Sequence, residues 1–231
     1  YMDTVNYDGI KIPEATRIQN ELRSKLLIQD YPYPIATIAG ADISLNLYST
    51  TIYAGIVVLQ YPSLQPIAYS LVKDETRFPY VPGYLAFREV PALHKVWEQI
   101  PNKPDILVVD GHGIAHPRRM GIAAHFGAVA NHATIGCAKN LLFGKYAEPS
   151  PEKGSAQPIM DKAEQIGWAY RSKGKTNTVY VSPGHMVGMQ QSLDILKTCT
   201  GKYRIPEPTR LAHELVNQFR KGELQAGYHL L

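Results

Sequence analysis

Cysteine is scarce in this chain. Only two occur among 231 residues, Cys137 and Cys199, far apart and without the spacing of a metal-ligand pair. Neither a disulfide framework nor a cysteine zinc site is expected, and both thiols are expected to be free in a reducing cytosol. Long apolar runs are missing too. None approaches the ~20 residues that a membrane helix needs, so no membrane partner is expected. The opening Tyr1-Met2-Asp3-Thr4-Val5 has no basic region and no apolar core. No signal peptide is expected, and the expected location is cytoplasmic. Repeats and low-complexity tracts are absent. A strong charge imbalance is absent as well: 24 Lys and Arg against 20 Asp and Glu leave a net charge of +4. That permits a polyanionic partner without demanding one. The length suits one domain over 1–231, large enough to bury a core, and a monomer is the expected state.

What is present divides into two parts. Apolar residues at helical spacing predict a helix over 13–28. Three apolar runs, 35–43, 53–59 and 67–72, predict consecutive strands in an antiparallel meander. A helix follows through residue 100, then a short apolar strand at 106–110. Beyond it the chain alternates: a helix near 123–130, strands at 134–137, 166–171 and 178–182, and helices at 192–197 and 208–219. The polar, Pro- and Ser-rich stretch 148–157 reads as a surface loop. A meander followed by alternation gives an α/β fold, a mixed central sheet with helices on both faces.

Three acids stand where acids are unwelcome. Asp42 interrupts an apolar strand of small residues. Asp110 ends a continuous apolar strand, where α/β folds place their chemistry. Glu89 shares a helix face with Leu93, Val96 and Ile100, the face turned to the core. Pro91 fits only near the start of that helix. Two carboxylates ~4 Å apart repel by ~4 kcal/mol at an effective dielectric of about 20. A cluster of them must bind a cation or take up protons, and a hard divalent ion such as Mg²⁺ resolves the conflict. His213 falls outside the apolar arc of Leu211, Leu215, Val216 and Phe219, beside Asn217 and Arg220. It is available to move protons near neutral pH.

Two loops carry further chemistry. Pro79 and Pro82 bracket Tyr80 and Val81, and proline fixes φ and removes a donor. A stiff loop holds an aromatic ring toward a partner at small entropic cost, as a wedge entering a base stack would need. The second loop, Asp110-Gly111-His112-Gly113-Ile114-Ala115-His116-Pro117-Arg118-Arg119, suits phosphates or a flat base. His112 and His116 have a zinc-like spacing, but no cysteine pair lies nearby and zinc is not expected. Lys139 follows a strand as a point charge for phosphate. Lys145, Arg171, Lys173 and Lys175 would extend a phosphate track.

Gly40-Ala41-Asp42, Pro79-Tyr80-Val81-Pro82-Gly83, Phe87-Arg88-Glu89, Asp110-Gly111-His112-Gly113, Gly136-Cys137-Ala138-Lys139 and Pro206-Glu207-Pro208-Thr209-Arg210 together resemble endonuclease V. The likeness runs from about residue 39 to 213. Two positions depart from the commoner pattern: Cys137 stands where valine is usual, and Asn140 where a second lysine is usual. The resemblance implies a ribonuclease H-like fold. It implies an endonuclease that recognises deaminated bases, chiefly inosine, in DNA and in RNA as well, and cuts one nucleotide 3′ of the lesion to leave 3′-hydroxyl and 5′-phosphate ends. By the same resemblance Asp42, Asp110 and Glu89 bind Mg²⁺, with Mn²⁺ as a substitute. His213 assists them and Lys139 contacts the phosphate near the cut. Tyr80 is the wedge, framed by Pro79, Val81 and Pro82. Gly83, Leu85, Gly111, Gly113 and His116 complete the substrate-binding set. A junction resolvase, a non-catalytic nucleic-acid binding module and a metabolic α/β enzyme are the competing readings.

Overall fold

The computed structural model describes residues 5–46 and 48–231. The leader expectation falls largely on residues 1–4, outside that range. The elements in order are α1 (Ile12–Arg23), β1 (Thr37–Leu45), β2 (Thr51–Gln60), β3 (Pro66–Glu75), α2 (Ala86–Glu98), β4 (Ile106–Asp110), α3 (Ile122–Ala130), β5 (Thr134–Ala138), β6 (Ala156–Asp161), β7 (Glu164–Tyr170), β8 (Val179–His185), α4 (Met189–Thr198), α5 (Glu207–Arg220) and β9 (Gly227–Leu230). One mixed sheet takes up all the strands in the order β6-β7-β8-β5-β4-β1-β2-β3-β9. β1, β2 and β3 form the antiparallel meander. β4 runs parallel to both β1 and β5.

Alternation along the strands feeds two cores. Ala39 and Ala41 point to the face covered by α2 and α3, where Leu93, Val96, Trp97 and Phe126 pack. Ile38 and Val108 point to the opposite face, with Leu193 and Leu196 of α4 and Ala212 of α5. Helices thus cover both faces, as the ribonuclease H-like arrangement requires. Among the described residues no helix is long and apolar enough to cross a membrane.

The structure corrects several expectations. α1 ends at Arg23, although Leu26 and Ile28 continue the apolar spacing. Those two side chains instead pack, partly buried, with Met120 and Ala124. Residues 156 and 157 belong to β6 rather than to a loop, and β9 adds a last edge strand. Pro91 stands in the second turn of α2, one turn later than its missing N–H favours. Arg171 is buried and tied to Glu148 and to the carbonyls of Ser150, Pro149 and Thr176. It clamps the 148–157 segment and offers nothing to a phosphate.

Candidate active site

Sheet register brings the first two acids together. β1 and β4 are parallel neighbours with Ala41 opposite Val109. The next residue on each strand is an aspartate. Ala41 and Val109 face the α2 side, so Asp42 and Asp110 leave on the α5 side. Asp42 is buried. Gly40 shares its face, and a methyl group there would strike the Pro208 carbonyl at the start of α5. Gly55, the β2 partner of Asp42, would put a methyl 2.6 Å from Val216. These two missing side chains let α5 lie close on β1 and β2. About one and a half turns beyond Pro208, His213 reaches Asp42, with Nδ1 3.0 Å from Oδ2.

A chain of contacts sets the tautomer. Arg220 donates to Asn217 Oδ1 at 3.3 Å, which leaves the amide to donate through Nδ2 to His213 Nε2 at 3.1 Å. The remaining ring proton then sits on Nδ1 and is donated to Asp42. On the other side, Lys139 Nζ lies 3.0 Å from Asp110 Oδ2. One ligand atom each from Asp42, Asp110 and His213 fall within 4.8 Å of one another. Glu89 stands outside that group. It comes over the end of the sheet from α2, on the opposite face, and meets Asp110 in a pocket wall. The trio among the described residues is therefore Asp42, Asp110 and His213, where the resemblance implied Asp42, Asp110 and Glu89.

The electrostatics show a site under charge conflict. Burial pushes the Glu89 carboxyl up to about 8, and the charge of Asp110 adds to it. Burial also raises Asp42, followed by repulsion from Asp110, with Lys139 opposing. His213 is lowered by burial and by Lys139.

Beside the acids lies a pocket of about 440 Å³. Tyr80, Pro82, Gly83, Leu85, Glu89, Asp110, Gly111 and His116 line it, with Met120, Ile122, Leu141 and Leu142 supplying apolar walls. Tyr80 stands at its edge, about half exposed. Gly113 lies behind the wall, donating its N–H to Ser182 Oγ. Pro79 and Val81 do not line the pocket; they frame Tyr80 in the chain.

The Tyr80 loop is locked from behind. Tyr84 donates its N–H to Val81 C=O at 2.9 Å, closing a turn with Pro82 and Gly83 at its centre. Gly83 has φ 86°, the conformation that a turn of this type assigns to glycine. Its carbonyl accepts from Gln19 Nε2 at 3.0 Å, His116 Nε2 at 2.9 Å and an Arg118 guanidinium N–H at 2.9 Å. Arg118 also donates to Gln19 Oε1 and lies over the Tyr84 ring. His116 thus carries its proton on Nε2, and Nδ1 accepts from the Arg118 N–H. Burial lowers His116 and His112 to about 4 each.

With that geometry in place, the relatives are informative. The endonuclease V family model matches residues 19–214. Endonuclease V of Trichormus variabilis is 44% identical over 209 residues, 90% of this chain and 95% of that protein. The chain belongs to the endonuclease V family. The crystal structure of endonuclease V from Streptomyces avermitilis superposes with a TM-score of 0.86 at 36% identity, covering 92% of this chain and 94% of that one. Endonuclease V of Ciona intestinalis, in complex with a 24mer DNA containing an inosine followed by a ribo-adenosine, superposes at 0.81 with 28% identity over 91% and 98%. As an endonuclease V, this protein is a nuclease, a hydrolase acting on DNA.

Sequence reasoning missed Gln19 altogether. Its signal was available: a glutamine set between Ala15 and Leu22 on the apolar face of α1, and fully buried. Arg119, the last residue of the loop read as suited to phosphates or a flat base, is buried and paired with Asp161 and Glu164. Leu141 and Leu142 carried no sequence signal beyond their apolar character.

Proposed function

We propose that this protein recognises a deaminated base, chiefly inosine, in DNA and hydrolyses the phosphodiester one nucleotide 3′ of it, leaving 3′-hydroxyl and 5′-phosphate ends. Inosine-containing RNA is a second substrate in this reading. It is supported by the strand bound to the Ciona protein, where a ribo-adenosine follows the inosine. One observation carries the reading: Asp110 belongs both to the acid cluster and to the wall of a pocket with room for a base. Chemistry and recognition share a residue, so the cut must fall close to the base that is read.

The donor set fits a divalent cation. The carboxylates of Asp42 and Asp110 converge beside His213, whose ring nitrogens are both engaged, and the raised Asp42 and Glu89 mark a charge conflict that a cation relieves. Asp42 and Asp110 would hold Mg²⁺, or Mn²⁺ in its place, with His213 and Glu89 beside them. Such an ion activates water and neutralises charge on the phosphate. The chain's own groups do the rest. Lys139 fixes Asp110 and offers a point charge to the phosphate. His213 holds its proton at Nδ1 against Asp42 Oδ2. Tyr80 fills the gap left by the extruded base and returns about 1–3 kcal/mol in stacking. Extrusion costs a few kcal/mol, less for a weakly paired base, so the near balance favours lesions over normal pairs. We place this activity in a cytoplasmic monomer that works as one domain over 1–231.

The test is a cleavage map. Labelled inosine oligonucleotides, DNA and RNA, are incubated with Mg²⁺ or with EDTA. A nick one nucleotide 3′ of inosine that EDTA abolishes is expected. Cutting of unmodified strands with equal efficiency, or preference for branched DNA, would overturn the reading.

A further inference from the structure

A second cleft, of about 620 Å³, lies on the far side of the acid cluster from the base pocket. Its place follows from the strand order. The base pocket sits over the ends of β5 and β4, where Asp110, Asn140 and Leu141 line it. The cluster sits between β4 and β1. The cleft comes next, over β1, β2 and β3. Ser44 lies two residues beyond Asp42 on the same face of β1, roughly 6.6 Å further along. Ser44 pairs with Tyr53 of β2, and Tyr53 with Lys73 of β3, so all three project together toward α5. Phe219 packs edge-on against Tyr53, with ring centres 5.6 Å apart, and the next residue, Arg220, lines the cleft.

The lining has the chemistry of a phosphate track. Lys73 lies over the Tyr53 ring, with Nζ 5.7 Å from its centre. Arg220 also lines the cleft, with Ser44, Ser49 and Thr51; the Thr51 hydroxyl is taken up by Glu75, so the cationic groups are those of Lys73 and Arg220. Glu75 is the acid near Lys73, and its carboxylate is engaged by the hydroxyls of Thr50 and Thr51. Arg220 also begins the chain through Asn217 to His213 and Asp42, so cleft and cluster are physically joined.

We propose that this cleft binds the backbone phosphates of the substrate strand on the 3′ side of the cut. The inference rests on the function proposed above, which fixes the polarity. If the lesion occupies the pocket over β5 and β4 and the cut lies one nucleotide to its 3′ side at the cluster, the strand leaving the cluster in the 3′ direction runs over β1, β2 and β3.

The test measures binding by fluorescence anisotropy in EDTA, where strands remain uncut. Single strands carry one inosine and a 3′ flank of about eight or about two nucleotides, with a mirrored set trimmed on the 5′ side. Wild-type protein is expected to lose about tenfold in affinity when the 3′ flank is shortened, from the lost phosphate contacts. The double variant Lys73→Ala with Arg220→Ala is expected to bind long and short 3′ flanks alike. Its salt dependence on the long flank should be shallower by about 1.4 in log–log slope, for two single-strand phosphate contacts. Lys73→Ala alone, which spares the Asn217 contact, should show part of the same change with an unaltered thermal midpoint. Loss that follows the 5′ flank, loss equal on all lengths, or no loss would each overturn the assignment. Failure of the underlying function is separately visible, because wild-type protein would then not prefer inosine over unmodified strands.

Discussion

Burial drives the acids and the histidines around this site alike toward their neutral forms, yet leaves the two sets in different company. Asp42 and Glu89 are held toward protonation by burial and by Asp110. His112, His116 and His125 are held neutral by burial, His125 down to about 3. The difference lies in how each group is partnered. His116 uses both ring nitrogens on the backbone around Gly83 and Arg118. His112 donates through Nε2 to the Asn140 carbonyl and His125 bonds the Tyr7 hydroxyl through Nε2, while Nδ1 of each is buried without a partner among the described residues. The acids have one lysine and one imidazole among three carboxylates. A neutral, tied wall makes a rigid pocket; an acid group short of positive charge makes a cation site.

Breaking the acid side gives the largest effect. Asp110→Asn keeps the shape and removes one charge. Cleavage of inosine DNA should fall by at least about a thousandfold, ~4 kcal/mol of barrier, while inosine binding persists. Wild-type turnover by that variant would contradict the assignment. The pH dependence of metal-free stability separates the two sides next. Glu89 is raised in the folded state, so its contribution is present below about 4.5 and is lost as pH rises through about 8. His125 is lowered, so the unfolded chain takes up its proton first. Its contribution is present above about 6.5 and is lost on acidification toward about 3. Urea unfolding in EDTA should therefore show stability falling at both ends, by a few kcal/mol on each limb. Glu89→Gln should flatten the alkaline limb in part, the rest belonging to Asp42, and leave the acid limb unchanged, whereas Mg²⁺ should flatten the alkaline limb of the wild type further. An alkaline limb that the substitution leaves untouched would mean that the charge conflict is not centred on Glu89.

How much of this was legible in the sequence divides along similar lines. Apolar runs located β1 to β4, because the middle of the sheet is buried on both faces, and helical spacing located α2 and α5, because each buries one face. β6 escaped because Pro158 and mostly half-buried neighbours give an edge strand no clear alternation, and β9 because four residues at the other edge bury little. Each acid could be recognised as out of place on its own element. Their meeting could not, because it depends on β1 and β4 being parallel neighbours although β2, β3 and α2 separate them in the chain. For His213, helical angles gave the side of α5 it occupies. That the side faces Asp42 depends on Gly40 and Gly55 admitting the helix, a contact between distant segments with no local signature.

Smaller effects sharpen the contrast on the rigid side. Tyr80→Ala should weaken cleavage of inosine in duplex DNA by about 1–3 kcal/mol, roughly five- to 150-fold. Single strands need no wedge and should suffer less, so equal losses on both would argue against one. The smallest expected effect comes from Gln19→Ala. It removes one of three donors on the Gly83 carbonyl and one acceptor from Arg118, while His116 and Arg118 still hold the turn. One such hydrogen bond is worth about 1 kcal/mol. The turn should loosen rather than open, and the ratio of duplex to single-strand cleavage should fall by about fivefold at most, with the metal-dependent rate on single strands preserved. If both rates fall together, Gln19 supports the pocket as a whole and not the aromatic ring at its edge. That result would move the boundary between the two regions from Gly83 back into α1.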